Sequence, residues 1–272
     1  GLLPLVDEGK ADNLVPKVTR LRKEISKALG FIVPGVRMRD DLNLEASQYQ
    51  IKIGQKIVAD DLIYADKKLA IASDSTNLEL SGLKVKEPAF GVDAYWIDKE
   101  LQADAEAKGY VIVEPDDVLT THLNQIINSY ASDLLGQEEV QELLDNLKVS
   151  YPNLVDTVVP KVMPLNQVTS VMKCILEEGV PISDLRLILE SLSSMNIQKM
   201  DSDDIAERIR PKLVPLLIQK LLKFKDTIPL ITFSPELEQM ILTTVRQNPD
   251  EKMLLIEGTL AKKILSNLNE AS

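Results

Sequence analysis

The sequence predicts an α+β chain made of several small subdomains. Three observations carry this. Up to about residue 136, strand-like and helix-like patterns alternate. From there to about residue 214 every periodic stretch is helical, and from residue 227 strand and helix patterns alternate again. A length of 272 residues suits about two ordinary domains, or more if each is small.

Residues 12–29, DNLVPKVTRLRKEISKAL, place Leu14, Val18, Leu21, Ile25 and Leu29 at helical spacing, and Gly30 follows as a stop. Residues 33–38 and 49–58 read as strands around a polar turn, RMRDDLNLEAS. In the second strand Tyr49, Ile51 and Ile53 alternate with Gln50 and Lys52, as on a half-buried sheet. KKLAIAS is another short strand and DSTNLELSG a loop. The stretch KEPAFGVDAYWI gathers Phe90, Tyr95 and the only tryptophan, Trp96, in a chain that is 4% aromatic. Pro88 and Gly91 oppose a helix there, and DAYWI reads as a strand with Trp96 in the core. Residues 98–109 form a helix with Asp98 as N-cap and Gly109 as stop. YVIV is a strand. Residues 114–136 read as one helix, its first-turn acids matching the positive end of the dipole and Gly136 closing it.

After Gly136 come four helical patterns: QEEVQELLDNL, NQVTSVMKCILEEG, ISDLRLILESL and SDDIAERIRPKLVPLLIQKLLKF, punctuated by Pro160, Pro164 and Pro181. The segment PKLVPLLIQKLLKFK interleaves apolar residues with Lys212, Lys220, Lys223 and Lys225. A membrane-surface helix has this pattern, as does a core helix with its lysines in water. Pro215 is expected to interrupt the helix, which favours the core reading. The end of the chain reads strand (IPLITF), helix (SPELEQMILTTVRQ), strand (KMLLIEG), helix (TLAKKILSNLNEAS). Two short strands make a poor sheet alone, so this unit is expected to be completed by sequence beyond Ser272.

The formal net charge is −11 and the isoelectric point about 4.8, a field that repels polyphosphates and argues against nucleic-acid binding. The single cysteine, Cys174, excludes an internal disulfide framework, and a single histidine, His122, leaves no Cys/His zinc set. There is no apolar run of membrane-spanning length and no signal-peptide pattern. The chain opens on GLLPLVDEG without an initiator methionine, so it is expected to be a fragment of a longer protein. It has no GxSxG elbow and no phosphate-cradling GxxxxGK[ST]; GFIVPG lacks the lysine. His122 reads as a satisfied helix residue with no partner for catalysis, and no cofactor is expected.

Four colinear stretches resemble one family. They are GFIVPGVRMRDDLNL, EPAFGVDAYWI, GYVIVEPDDVLTTHLNQIINSYASDLLGQEEVQELLDNL and LEEGVPISDLRLILESL. They are similar to the export-gate family of bacterial type III secretion, the FlhA-type or FHIPEP family, which serves flagellar assembly and, in a sister branch, virulence injectisomes. The resemblance runs in order through nearly the whole chain. It implies the cytoplasmic half of a protein embedded in the bacterial inner membrane, with four subdomains assembling into a nine-membered ring. By position, the first mixed subdomain is 1–65 plus 115–135, with a second mixed subdomain, 66–114, inserted in it. The helical subdomain is 136–214, and the final, C-terminally incomplete mixed subdomain is 215–272.

The resemblance also implies a docking site for complexes of export chaperones with their secretion substrates, in a dimple between the first two subdomains. Carried over by position, its residues are Glu87, Phe90 and Thr121. Glu87 departs from the family's usual Asp, and Thr120 from its usual Ala; Gln137 and Ser183 stand where Arg is common. Implied partners also include the ATPase complex and a switch-type export protein; no reaction is implied for this part. RMRDDLNL and EPAFG lean towards the flagellar branch. Alternatives are injectisome use, a chain that mainly builds the ring and binds little cargo, or an unrecognised enzyme. Lacking its membrane anchor, the isolated chain is expected to be monomeric or weakly associating. Light scattering at micromolar concentration checks this, and a stable nine-mer would contradict it.

Overall fold

The computed structural model describes residues 14–73, 76, 80–197, 199–222, 231–247 and 256–271. The chain divides into two compact units, 1–217 and 218–272.

The first unit opens with α1 (Leu14–Leu29), whose Leu14, Val18, Ile25 and Leu29 are buried as the spacing requires. The chain then runs without helix or strand to β1 (Gln48–Ile53), so the strand expected at 33–38 is absent. Pro34 has no N–H to give a ladder, and the Val33 N–H is taken by Ser26 Oγ at 2.9 Å. The strand expected at 49–58 is a hairpin: β1 pairs antiparallel with β2 (Lys56–Leu62) across a two-residue turn at Gly54 and Gln55.

A four-stranded antiparallel sheet follows, in the order β4-β5-β3-β6, from β3 (Lys68–Ile71), β4 (Leu83–Lys86), β5 (Asp93–Ile97) and β6 (Val111–Val113). β4 had no strand signal in the reading above. Its LKVK is a four-residue edge strand with lysines at alternate positions, a composition that reads as loop. The sheet sorts side chains by period two. Leu69, Ala94 and Trp96 face one core with Tyr49, Ile63 and Val118; Ala70, Tyr95 and Ile97 face another with Leu80, Ala105 and Tyr110. Trp96 is a core residue, its ring edge-on to Tyr64 at 5.5 Å. The helix of 98–109 is a 3-10 turn (Lys99–Leu101) running into α2 (Gln102–Ala107). Asp98 takes the N-cap position but makes no side-chain cap; it pairs instead with Lys67.

The helix expected at 114–136 is broken. α3 (Pro115–Ser129) ends at Tyr130, α4 (Ala131–Leu134) is a single turn, and Gly136 is the N-cap of α5 (Gln137–Ser150) rather than a stop. Glu139 reaches back to accept the Gly136 N–H at 2.9 Å. The helical region adds α6 (Pro152–Thr157), which went unread, then α7 (Leu165–Glu177), α8 (Leu185–Ser194) and α9 (Ser202–Leu222). Asp184 caps α8 through the Leu187 N–H at 3.0 Å. α9 runs through Pro211 and, contrary to expectation, through Pro215. Each proline removes one donor from the ladder, and burial of Ile205, Ala206, Ile209 and Leu213 in the helical core anchors the first three turns.

One apolar cluster joins α1 to α3 through α9. Its geometry is fixed at Gly30. The Leu29 carbonyl accepts the Ile182 N–H at 2.9 Å, and a Cβ on Gly30 would lie 2.3 Å from Ser183 N. Gly30 also has φ +94°.

The second unit contains α10 (Pro235–Gln247) and α11 (Gly258–Ala271). Of the two strands expected there, residues 231–233 and 256–257 carry no strand and Gly258 opens α11; the remaining residues of both lie outside the described ones. No helix among the described residues is long and apolar enough to cross a membrane.

Gly30→Ala adds a methyl group against backbone and forces an L side chain into positive φ. The expected loss is at least about 3 kcal/mol. Urea unfolding of the two proteins measures it, and equal midpoints would refute the close approach.

Candidate functional site

Glu87, Phe90 and Thr121 are placed by two elements. The first two stand in the turn joining β4 to β5, the third on α3. The turn is closed by its backbone: the Glu87 N–H donates to the Val92 carbonyl and the Gly91 N–H to the Glu87 carbonyl, both at 2.8 Å. Gly91 has φ +69°, which closes the reversal. Lys86 and Asp93 bracket the turn with an ion pair at 2.9 Å.

Glu87 is 3% exposed, which is unusual for a carboxylate and requires partners. The turn supplies them. Its Oε1 accepts the Ala89 N–H at 3.0 Å and its Oε2 the Phe90 N–H at 2.7 Å. These are charge-assisted bonds to donors that the turn would otherwise leave unmet. The longer reach of Glu over Asp is taken up here: both oxygens reach the amides two and three residues on. The carboxylate is therefore a builder of the turn and presents no free oxygen at the surface.

Phe90 is 72% exposed. With the neighbouring Val92, also exposed, it forms an apolar tip on a turn tied down from within. A phenylalanine fully buried on folding contributes about 1.5–3 kcal/mol; Phe90 forgoes most of that in the free chain. Trp96, six residues later, is 2% exposed. The aromatic cluster of the sequence thus separates into an exposed tip and a buried strand.

Thr121 is half-buried on α3, between Thr120, whose hydroxyl donates to the Asp116 carbonyl, and His122. The first turn of α3 is tied to α1, where Lys17 reaches Asp116 and Asp117, each at 2.5 Å. His122 is 5% exposed and bonds the Tyr49 hydroxyl through Nδ1 at 2.6 Å. Burial pushes the imidazole pKa below its ordinary 6.5, against the pull of Asp61 and Glu87. Burial, then Asp61 and Glu87, drives the Tyr49 phenol well above its ordinary range. Both groups are neutral at neutral pH, and with the imidazole proton on Nε2 the Tyr49 O–H donates to Nδ1. The Glu87 charge acts on both groups, and the core shared by Tyr49, Val118 of α3, and Ala94 and Trp96 of β5 brings a strand that carries the Phe90 turn to α3. His122 is the satisfied helix residue expected, and Tyr49 lies on a strand as expected, but their pairing went unread; a lone histidine after two threonines carries no signal for a partner 73 residues away.

Elsewhere the chemistry is quiet. Burial, then Asp203, pushes the Cys174 thiol up to about 12, so it stays protonated and unreactive. Among the described residues no group of three His, Cys, Asp or Glu side chains is placed to hold a metal.

The model of the FHIPEP family matches residues 1–272. The flagellar biosynthesis protein FlhA of Helicobacter pylori is 31% identical over 270 residues, 99% of this chain and 37% of that protein. The chain therefore spans well under half the length of this relative. Among solved structures, the Chlamydia pneumoniae CdsV and CdsO complex has a chain at TM-score 0.77 and 23% identity, covering 99% of this chain and 80% of that one. The nonameric EscV cytosolic domain of a type III secretion system is similar at TM-score 0.67 and 20% identity, covering 94% of this chain and 76% of that one. The fold is thus shared with cytosolic domains of this kind, and the chain belongs to the FHIPEP family.

Proposed function

We propose that this chain is a non-enzymatic docking platform in the cytoplasmic region of a type III export gate, at the inner face of the bacterial inner membrane. Its partners are complexes of export chaperones with their secretion substrates. The FlhA name of the relative favours flagellar assembly; injectisome use is the alternative. The observation that carries docking is Phe90. An aromatic side chain, 72% exposed on a turn braced by a buried carboxylate, is an anchor held ready before a partner arrives. Thr121 supplies a polar group on the neighbouring helix, as an apolar socket with a few orienting groups requires. Glu87 acts through the turn, by holding the amides of Ala89 and Phe90.

Self-association into a ring and contact with other export-apparatus proteins, the ATPase complex and a switch-type export protein among them, belong to the same reading. Support comes from the solved relatives, a nonameric EscV domain and CdsV with CdsO. A chain that mainly builds the ring is the second reading; the exposed Phe90 favours docking over it. The division into four subdomains is part of the proposal. The four-stranded sheet lies between Lys68 and Val113, which supports 66–114 as one of them.

Phe90→Ala is expected to weaken binding of a chaperone–substrate complex by at least about 2 kcal/mol, near 30-fold, with no change in thermal unfolding. Isothermal calorimetry measures the affinity, and an unchanged value ends the docking reading. Glu87→Gln puts an amide N–H₂ against one of the two backbone donors. It is expected to cost about 1–3 kcal/mol of stability. Exchange of the Ala89 and Phe90 amides should accelerate, as hydrogen exchange followed by mass spectrometry or NMR would show; full protection would contradict the role given to the carboxylate.

A further inference from the structure

Tyr49 and His122 stand where the turn, the hairpin and α3 meet. The phenol and imidazole are edge-on, 5.9 Å between centroids at 82°, with the hydroxyl 2.6 Å from Nδ1. Tyr49 comes from β1 and His122 from α3, next to Thr121. Tyr49 shares its apolar core with Ala94 and Trp96 of β5, against which Val85 of β4 also packs. Those two strands carry the turn that presents Phe90. A single buried hydrogen bond therefore ties the helix of Thr121 to the core that seats the hairpin of Phe90.

We propose that Tyr49 and His122 are positioning residues for docking: their hydrogen bond sets the Phe90 turn against the Thr121 segment, and protonation of His122, which reverses that bond and places a charge in a buried site, weakens docking. This inference rests on the docking role of Phe90 proposed above.

Three charged or polar groups face the imidazole: the Tyr49 phenol from β1, Asp61 from β2 and Glu87 from the β4–β5 turn. At the start of α3, Asp116 and Asp117 are held by Lys17 of α1. With its proton on Nε2, the neutral imidazole accepts at Nδ1. A protonated one has no lone pair there, so the Tyr49 hydroxyl must turn to accept from Nδ1–H, and the added charge lies in a buried site. Because burial lowers the His122 pKa, the neutral arrangement holds above the ordinary 6.5 and gives way to the reversed, charged one as the pH falls through the lower value of the folded chain.

His122 is the only histidine, so one imidazole signal reports it without assignment. The experiment is an NMR pH titration of the labelled 272-residue chain and of Tyr49→Phe and His122→Gln, following the imidazole nitrogens and the amides of Ala89, Phe90 and Gly91. Calorimetric binding of a chaperone–substrate complex accompanies it. In the wild type, Nδ1 should be unprotonated at neutral pH, and the three amides should shift in step with His122. Tyr49→Phe should move those amides and weaken binding about 3- to 10-fold, the worth of one neutral hydrogen bond. His122→Gln should flatten the pH dependence of both readouts. Amides of 89–91 indifferent to His122 titration and to Tyr49→Phe would overturn the proposal. So would undiminished binding by Tyr49→Phe where Phe90→Ala binds weakly. Failure of the wild type to bind any complex would instead remove the docking reading, and the amide readout would still decide the positioning.

Discussion

The fold of the first unit turns on the close approach at Gly30. The end of α1 runs against the backbone of Ile182 and Ser183 with no room for a Cβ, and the Leu29 carbonyl is met by the Ile182 N–H. Residues about 150 positions apart are thereby locked at backbone distance. Side-chain repacking can absorb small errors in a core, but a backbone contact has no such slack. This lock makes α1 a wall of the helical core. Leu14, Val18, Ile25 and Leu29 pack in the same cluster as Met172, Ile188 and Leu192. A helix that precedes the hairpin in sequence is thus held by helices that follow the sheet.

α3 carries that order to the site. Val118 points into the core beneath the sheet, while Leu123 and Ile127 point into the helical core. Leu119, partly buried, packs against both. The helix is a shared partition, and His122, between its two apolar stripes, falls at the seam. A buried position at a seam is a poor place for an unpaired imidazole. Tyr49 answers that need from the opposite side.

How much of this could be read from the sequence depended on the range of the interaction. The buried face of α1 follows from a 3.6-residue period, and the short apolar run in DAYWI read as a strand with Trp96 in a core; both are local patterns. The misread elements were decided by single residues acting at short range. Pro34 denied a ladder to 33–38, Gly54 folded one apparent strand into a hairpin, and Gly136 began a helix instead of ending one. The helix through Pro211 and Pro215 was decided the other way, by burial of the turns before them. At the site, Phe90, Glu87 and Thr121 were legible only through a family resemblance. The Tyr49–His122 bond spans 73 residues and leaves no periodicity behind. Nor does composition show that a Glu will be buried, because the reason lies in the amides two and three residues further along.

The turn of Glu87 also explains why Phe90 remains at the surface. An exposed phenylalanine beside a sheet gains about 1.5–3 kcal/mol by folding back onto apolar neighbours, if its backbone lets it. Here the backbone does not. Ala89 and Phe90 are held by their N–H groups from inside, Gly91 fixes the reversal at positive φ, and β4 and β5 pin both ends in register. The buried carboxylate is tolerable only because those two amides solvate it, and the two amides stay in place only because it is there. Each therefore depends on the other. Shape is fixed before any partner arrives, so a partner that covers Phe90 gains its burial without first ordering the loop.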